Sequence, residues 1–200
     1  AGLTTLISLA IGYPVAYFVA RYRGRRDWLL VLIILPWLVS VVVRTYGWIV
    51  LLGNRGVING FLAWLGVTDG PMKLMFNTTG IVIGLVHVFC PFMILAILAV
   101  FLHLERALEE ASMSLGAGPW LTFRKVVWPL SLPGVISGVM LVYLMATGAI
   151  VTPLLLGGLR DRMLGTQIYQ EMFQVFDYPK AAAMAVILTI TAMAVVLPLG

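Results

Sequence analysis

Glu110-Ala111-Ser112, three residues, Gly116, nine residues, then Val126-Val127-Trp128-Pro129: this stretch sits in the one long polar connection of an otherwise apolar chain of 200 residues. Residues 105–115 are rich in Glu, Leu, Ala and Arg, all strong helix formers. Leu104, Leu108, Ala111 and Leu115 recur at helical spacing and make one apolar face. Arg106 and Glu110, four apart, can pair across the other face for about 0.3 kcal/mol. Gly116 stands where a helix end wants a residue tolerant of positive φ. Pro119 suits the first turn of a second short helix, which Pro129 is expected to end. The stretch therefore reads as helix, glycine turn, helix: either a compact knob that could fit a partner's groove or an ordinary solvated loop between helices.

Outward from that loop the chain is membrane-like. Hydrophobic residues make up 62% and charged residues 10%, whereas a soluble domain is about 25% charged. The mean hydropathy is +1.04. Five segments come near the roughly 20 residues needed to cross about 30 Å of hydrocarbon. They are 2–20, with Pro14; 28–52, with Pro36 and Arg44; 78–102, with His87 and Pro91; about 132–155, inside the uncharged run 126–159; and 181–200. The runs are continuous and do not alternate, so helices are expected rather than barrel strands. The fold class is an all-α membrane bundle. The whole of 1–200 reads as one membrane domain, with 103–130 as a loop within it, and both ends read as cut. No basic stretch precedes residues 1–20, so a signal peptide is a poor reading. Cys90 is alone, which excludes a disulfide framework and a thiolate metal cluster.

Orientation follows from the basic residues. Arg21, Arg23, Arg25 and Arg26, with Arg106, Arg124 and Lys125, put seven on the side of the polar loop. Arg55, Lys73, Arg160, Arg162 and Lys180 put five on the other. The denser side is cytoplasmic by the positive-inside rule, although Glu105, Glu109 and Glu110 share it. The net charge of +5 thus serves topology and does not indicate nucleic-acid binding.

The spacing around Gly116 resembles the EAA loop of the transmembrane subunits of ABC importers, written E-A-A, three residues, G, nine, I-x-L-P. Ser112 replaces Ala, Val126 replaces Ile and Trp128 replaces Leu. In that family the loop docks on the ATP-hydrolysing subunit. The resemblance implies Glu109, Glu110, Ala111, Gly116, Ala117 and Pro129 as the ATPase-coupling residues. Gly12-Tyr13-Pro14-Val15-Ala16-Tyr17, Arg44-Thr45-Tyr46-Gly47-Trp48, Pro91-Phe92-Met93 and Val151-Thr152-Pro153 with Gly157-Gly158 are similar to one branch, the first permease subunit of polyamine (spermidine and putrescine) importers. That implies a type I importer fold, of which this chain would hold five of about six spans. It implies a multi-pass protein of the bacterial inner membrane working by alternating access. The implied partners are a second permease subunit in a heterodimer, two ATP-binding subunits carrying ATP and Mg, and an extracytoplasmic solute-binding protein. No cofactor would be bound by this chain.

Other classes fit less well. His87 and His103 lie sixteen apart with no carboxylate constellation, so an enzyme is not expected. The chain lacks a G-x-x-x-x-G-K-[ST] loop and cannot be its own ATPase. A self-sufficient secondary transporter would be expected to carry intramembrane carboxylates and internal repeats, and neither is evident.

For the path, Arg44 is the one formal charge well inside a segment, where a cation costs about 3 kcal/mol. It reads as a gate, a substrate-facing charge, a snorkelling side chain or a structural pair with a partner chain. Pro91 reads equally as a bend lining the path and as a packing kink without ligand contact. A polyamine is cationic, yet no Asp or Glu lies inside any segment; either Tyr46, Trp48, Phe89, Phe92 and Tyr143 hold it by cation–π contacts, or the carboxylates come from the partner subunit, or the binding protein alone sets specificity. Arg44 fits an anionic solute equally well. Thr147, a further candidate for the path, also supplies with Ser137, Gly138, Ala146 and Gly148 small surfaces for close helix packing. Tyr22, Trp28 and Trp64 read as interface anchors. The outer connections are expected to hold a short helix at 57–65 and an amphipathic one at 166–176, with Ile168, Met172 and Phe176 on one face.

Overall fold

In lipid a backbone N–H or C=O finds no water, so each segment must close its hydrogen bonds internally. The computed structural model, which describes residues 1–22, 24–66, 68, 70–158, 161 and 163–199, is accordingly built of helices, with no strand among the described residues. Arg23, Arg160 and Arg162 of the charge reading, and Gly200 of the fifth segment, lie outside them. In order the helices are α1 (Gly2–Arg21), α2 (Arg26–Leu38), α3 (Val41–Leu52), α4 (Val57–Trp64), α5 (Thr78–His103), α6 (Arg106–Ser114), α7 (Pro119–Thr122), α8 (Trp128–Thr147), α9 (Val151–Leu156), α10 (Leu164–Gln170) and α11 (Tyr178–Val196). Two starts are capped from the side chain: Asn77 accepts from the Gly80 amide at 2.9 Å and Asp177 from the Lys180 amide at 3.1 Å.

The core is a three-helix packing of α1, α5 and α8. Tyr13, Ala16 and Val19 of α1 meet Leu85, Met93, Ile97 and Phe101 of α5, with Val135, Val142 and Ala146 of α8 closing the third side. Small residues let the backbones approach, as expected where packing rather than water exclusion holds helices together. A Cβ on Gly138 would lie 2.8 Å from the Met93 sulfur, and one on Gly134 2.8 Å from Val100. Within its most apolar window α5 is 61% buried and α11 only 11%, so α5 is the spine and α11 the periphery.

Four helical stretches are long and apolar enough to cross a membrane: Gly2–Arg21, Thr78–His103, Pro119–Thr147 and Tyr178–Val196. The second expected segment, 28–52, is not one straight helix. Its axis turns by 91° between Arg26–Leu38 and the stretch Val41–Trp64. Pro36 removes a hydrogen bond ahead of the break, and Val39 and Ser40 take ψ values of 136°. The fourth segment starts and stops earlier than 132–155, because Gly148 caps α8 and α9 restarts at Val151. Gly148 is therefore a helix end; a Cβ there would touch only its own turn.

Outside the bundle, α4 occupies the expected 57–65 region. Its Asn59 is 4% exposed and holds the following loop. The amide nitrogen donates to the Gly53 and Met72 carbonyls, both at 3.0 Å, and the side-chain oxygen accepts from the Met72 amide at 3.0 Å. At about 1 kcal/mol for each of the two bonds to Met72, Asn59→Ala should loosen this loop by about 2 kcal/mol. Hydrogen exchange reads it directly: the Met72 amide should lose protection, and unchanged protection would contradict the clasp. The expected amphipathic helix at 166–176 is interrupted, since α10 passes into a π turn at Glu171–Val175. Phe176 leaves the helix with φ 61°, and both Met172 and Phe176 are exposed.

Candidate functional site

The knob is built as its residues require. Gly116 has φ +88°, and the α6 terminus closes as a Schellman motif. In it the Gly116 amide donates to Met113 O at 3.0 Å and the Ala117 amide to Ser112 O at 3.2 Å. Pro119 opens α7. The two arms are clasped by the Ser112 and Thr122 hydroxyls, 3.0 Å apart. Ser112, one departure from the E-A-A spelling, therefore makes a bond that alanine could not. Leu108, Trp120 and above all Leu115, 89% exposed, leave an apolar face open.

Pro129 does not end the second arm. α7 continues through a π turn at Phe123–Val127, where the Trp128 amide reaches back to Phe123 O, and enters α8 with Pro129 as its second residue. The π turn widens the backbone ahead of the ring and leaves room for a residue that brings no N–H. Knob and spanning helix thus form one continuous rod.

At its other arm the knob is tied to α1. Glu109 pairs with the Arg21 side chain, and the pair is largely sequestered. Arg106 donates to the Arg21 carbonyl at 3.2 Å, so the expected Arg106–Glu110 pair is not formed. A carbonyl at the end of α1 offers the guanidinium an acceptor with no competing helix partner. Glu110 and Ala111 stay on the knob, with Glu110 exposed.

An aromatic joint that the sequence reading did not single out lies above the knob. Tyr13 of α1 stands edge-on to Phe101 (5.5 Å) and Phe123 (6.0 Å) and tilted against Trp128 (5.2 Å). The buried Ser131 hydroxyl donates to Trp128 O at 2.8 Å, so Tyr13 OH donates to Ser131 Oγ at 2.9 Å. One side chain thereby contacts the core of α5, the π turn and the start of α8. The only sequence signals were aromatic residues at four separate places, which nothing local brings together.

The candidate path residues scatter. Trp48 and Pro91 line an apolar cavity of about 510 Å³ between α1, α2, α3 and α5, together with Pro36, His87 and Cys90. Trp48 meets His87 edge-on at 5.4 Å. Arg44 turns back on its own chain, donating to Trp37 O at 3.1 Å and Val39 O at 2.5 Å. It thus covers the carbonyls that the α2 break leaves open. Its Nε and Nη1 are covered and have no partner among the described residues. Phe92 packs on Trp37 at 5.6 Å. Phe89 is 8% exposed inside the core, and Tyr46 is exposed on α3. Tyr143 and Thr147 are half-buried on α8, where Thr147 bonds back to Tyr143 O at 2.7 Å.

The family described as "Binding-protein-dependent transport system inner membrane component" matches residues 10–199. The chain is 37% identical over 189 residues to the spermidine/putrescine transport system permease protein PotB of Escherichia coli K12, covering 94% of this chain and 69% of that protein. It is 35% identical over 190 residues to the PotB of Haemophilus influenzae, covering 94% and 66%. Among solved structures, a bacterial ABC transporter involved in the import of the acidic polysaccharide alginate superposes with TM-score 0.69. That match has 19% identity and covers all of this chain and 76% of the other, a likeness of fold.

Proposed function

Because this chain belongs to the binding-protein-dependent transport system inner membrane component family, we propose that it is the polyamine-translocating permease subunit of an ABC importer, driven through the knob at residues 103–130. A multi-pass inner-membrane permease of this family is a transport subunit and not an enzyme, and it works with ATPase, permease and binding-protein partners. The finer assignment takes its substrate from the PotB-like relatives. Its partners here would be two ATP-binding subunits, a second, different permease and a polyamine-binding protein at the outer face. The chain itself binds neither ATP nor Mg.

The observation that carries the coupling role is the knob's construction. An apolar face containing Leu108, Leu115 and Trp120 is open at the tip, while the base runs without interruption into α8. Closure of the ATPase pair displaces the knob. The rod carries that displacement to α8, and the Tyr13 joint and the Arg21–Glu109 pair carry it to α1. Coupling needs a packed element with discrete arrangements, and a close-packed aromatic joint supplies one. Trp48 offers a cation–π face beside the Pro91 cavity in place of a carboxylate.

The test is ATPase stimulation in proteoliposomes holding the full-length chain with its permease, ATPase and binding-protein partners. Putrescine or spermidine should stimulate hydrolysis and drive uptake. Stimulation by an anionic solute alone would discard the polyamine while keeping the importer. Proton-coupled uptake without any ATPase would return the chain to secondary transport.

A further inference from the structure

Tyr22, Gly24, Arg25, Arg26, Asp27 and Arg106 line an open concavity of about 690 Å³ where the end of α1, the start of α2 and the start of α6 meet. We propose that this concavity binds the phosphate headgroup of an anionic phospholipid of the cytoplasmic leaflet. The inference rests on reading this end as cytoplasmic and is independent of the transported solute.

Three observations carry it. The first is uncompensated charge. Arg25, Arg26 and Arg106 form no salt bridge among the described residues, and Glu109 of α6 is taken by Arg21. Asp27 shares the lining but pairs with none of them. Three guanidiniums therefore face one carboxylate.

The second is preorganisation. Arg26 Nε donates to Tyr22 O at 3.1 Å and Arg106 Nη2 to Arg21 O at 3.2 Å. Each bond pins a guanidinium by one nitrogen and leaves N–H groups of its planar fork for a phosphate oxygen, an arrangement lysine does not reproduce. The basic groups come from the α1–α2 turn, α2 and α6, so charge converges here through tertiary structure and not merely through a run of arginines.

The third is the level at which the site lies. Phe18 and Tyr22, with ring centroids 5.8 Å apart, are both exposed beside it. Trp28, Leu32 and Leu35 continue an exposed apolar stripe up α2, none of whose residues is buried. Aromatic residues with an apolar ridge behind them mark the headgroup boundary. A headgroup in the concavity can lay an acyl chain along that ridge. An acidic surface on an ATPase subunit would match the charge but leave the ridge uncovered. Basic pockets on the cytoplasmic side of membrane helices are known to take such headgroups.

Because Arg106 belongs to the knob helix and Arg25 and Arg26 to the membrane boundary, a bound lipid would brace the knob against the bilayer. The experiment is native mass spectrometry of the assembled transporter, full-length chain included, after exchange into phosphatidylglycerol or phosphatidylethanolamine. The wild type should retain phosphatidylglycerol preferentially. Arg25→Gln with Arg106→Gln should retain on the order of tenfold less, given what each basic residue contributes near an anionic surface.

Arg25→Gln alone serves as the second variant. Arg25 is exposed and makes no recorded hydrogen bond or salt bridge among the described residues, so its loss leaves the fold intact. It should still weaken retention measurably. Equal retention by the wild type and both variants overturns the proposal. Displacement of the lipid by millimolar inorganic phosphate would reassign the concavity to a free anion and also overturn it. So would loss of ATPase assembly in the variants with retention unchanged, which would assign the arginines to the partner.

Discussion

Gly116→Val should sharply reduce coupled uptake while leaving the chain inserted and the spanning helices intact. Gly116 sits at φ +88°, and nothing lies within 4 Å of where a Cβ would stand. The substitution therefore tests backbone strain, with no clash at the Cβ. A β-branched residue in the left-handed region costs about 1–3 kcal/mol, and relief of that strain opens the Schellman closure through Ser112 and Met113. The knob would then present Leu115 at a different angle. Transport driven by ATP should fall on the order of tenfold or more, since about 1.4 kcal/mol is a factor of ten. Gly116→Ala should lie between, and Gly116→Asn should be the mildest because asparagine visits this region readily. Uptake in vesicles, beside pull-down of the ATPase subunit, measures the series. Full uptake by the valine variant would remove the turn from the mechanism.

Tyr13→Ala should be the most damaging single change in the spanning region. It empties the joint between Phe101, Phe123 and Trp128 and removes the bond to Ser131. Truncating a buried aromatic costs about 3 kcal/mol or more, because the surrounding wall relaxes only in part. Tyr13→Phe keeps the rings and loses one hydrogen bond, about 1 kcal/mol. Ser131 still donates to Trp128 O in that variant, so no buried donor is stranded. Thermal unfolding of the purified complex should rank wild type, Phe, then Ala. A transporter assembled with the alanine variant should also show ATP hydrolysis by its ATPase subunits with little uptake, since the proposed route from knob to α1 passes through this ring. Normal uptake per ATP in a folded Tyr13→Ala protein would show that the joint is structural only.

The knob was largely legible because its determinants are short-range. Helix formers at 105–115, a glycine at the C-cap and Pro119 at a helix start each act within a few residues. The misreading of Pro129 shows the limit of that logic. A proline usually ends a helix, yet the preceding π turn absorbs it, and nothing in Phe123–Val127 announces a π turn. The straight second segment failed for a related reason. Pro36 was visible, but how far the axis turns depends on what receives the open carbonyls of Trp37 and Val39, and Arg44 does so from the next helix. Arg44 was noticed for its charge; its acceptors could not be. Residue type does not say which face of a helix looks inward, so Trp48 and Pro91 reach the cavity while Phe89 goes to the core.

The sequence by itself determined the solvent, the helical class and the glycine turn, and its charge placement sets the expected orientation. These follow from hydropathy, charge placement and local backbone preference, which are properties of neighbours along the chain. Only the tertiary structure decided the 91° break, the Tyr13 joint, the Arg21–Glu109 tie and the convergence of Arg25, Arg26 and Arg106. Each of these joins residues from different helices. Their meeting depends on helix rotation and small-residue packing around α5, which no local preference specifies.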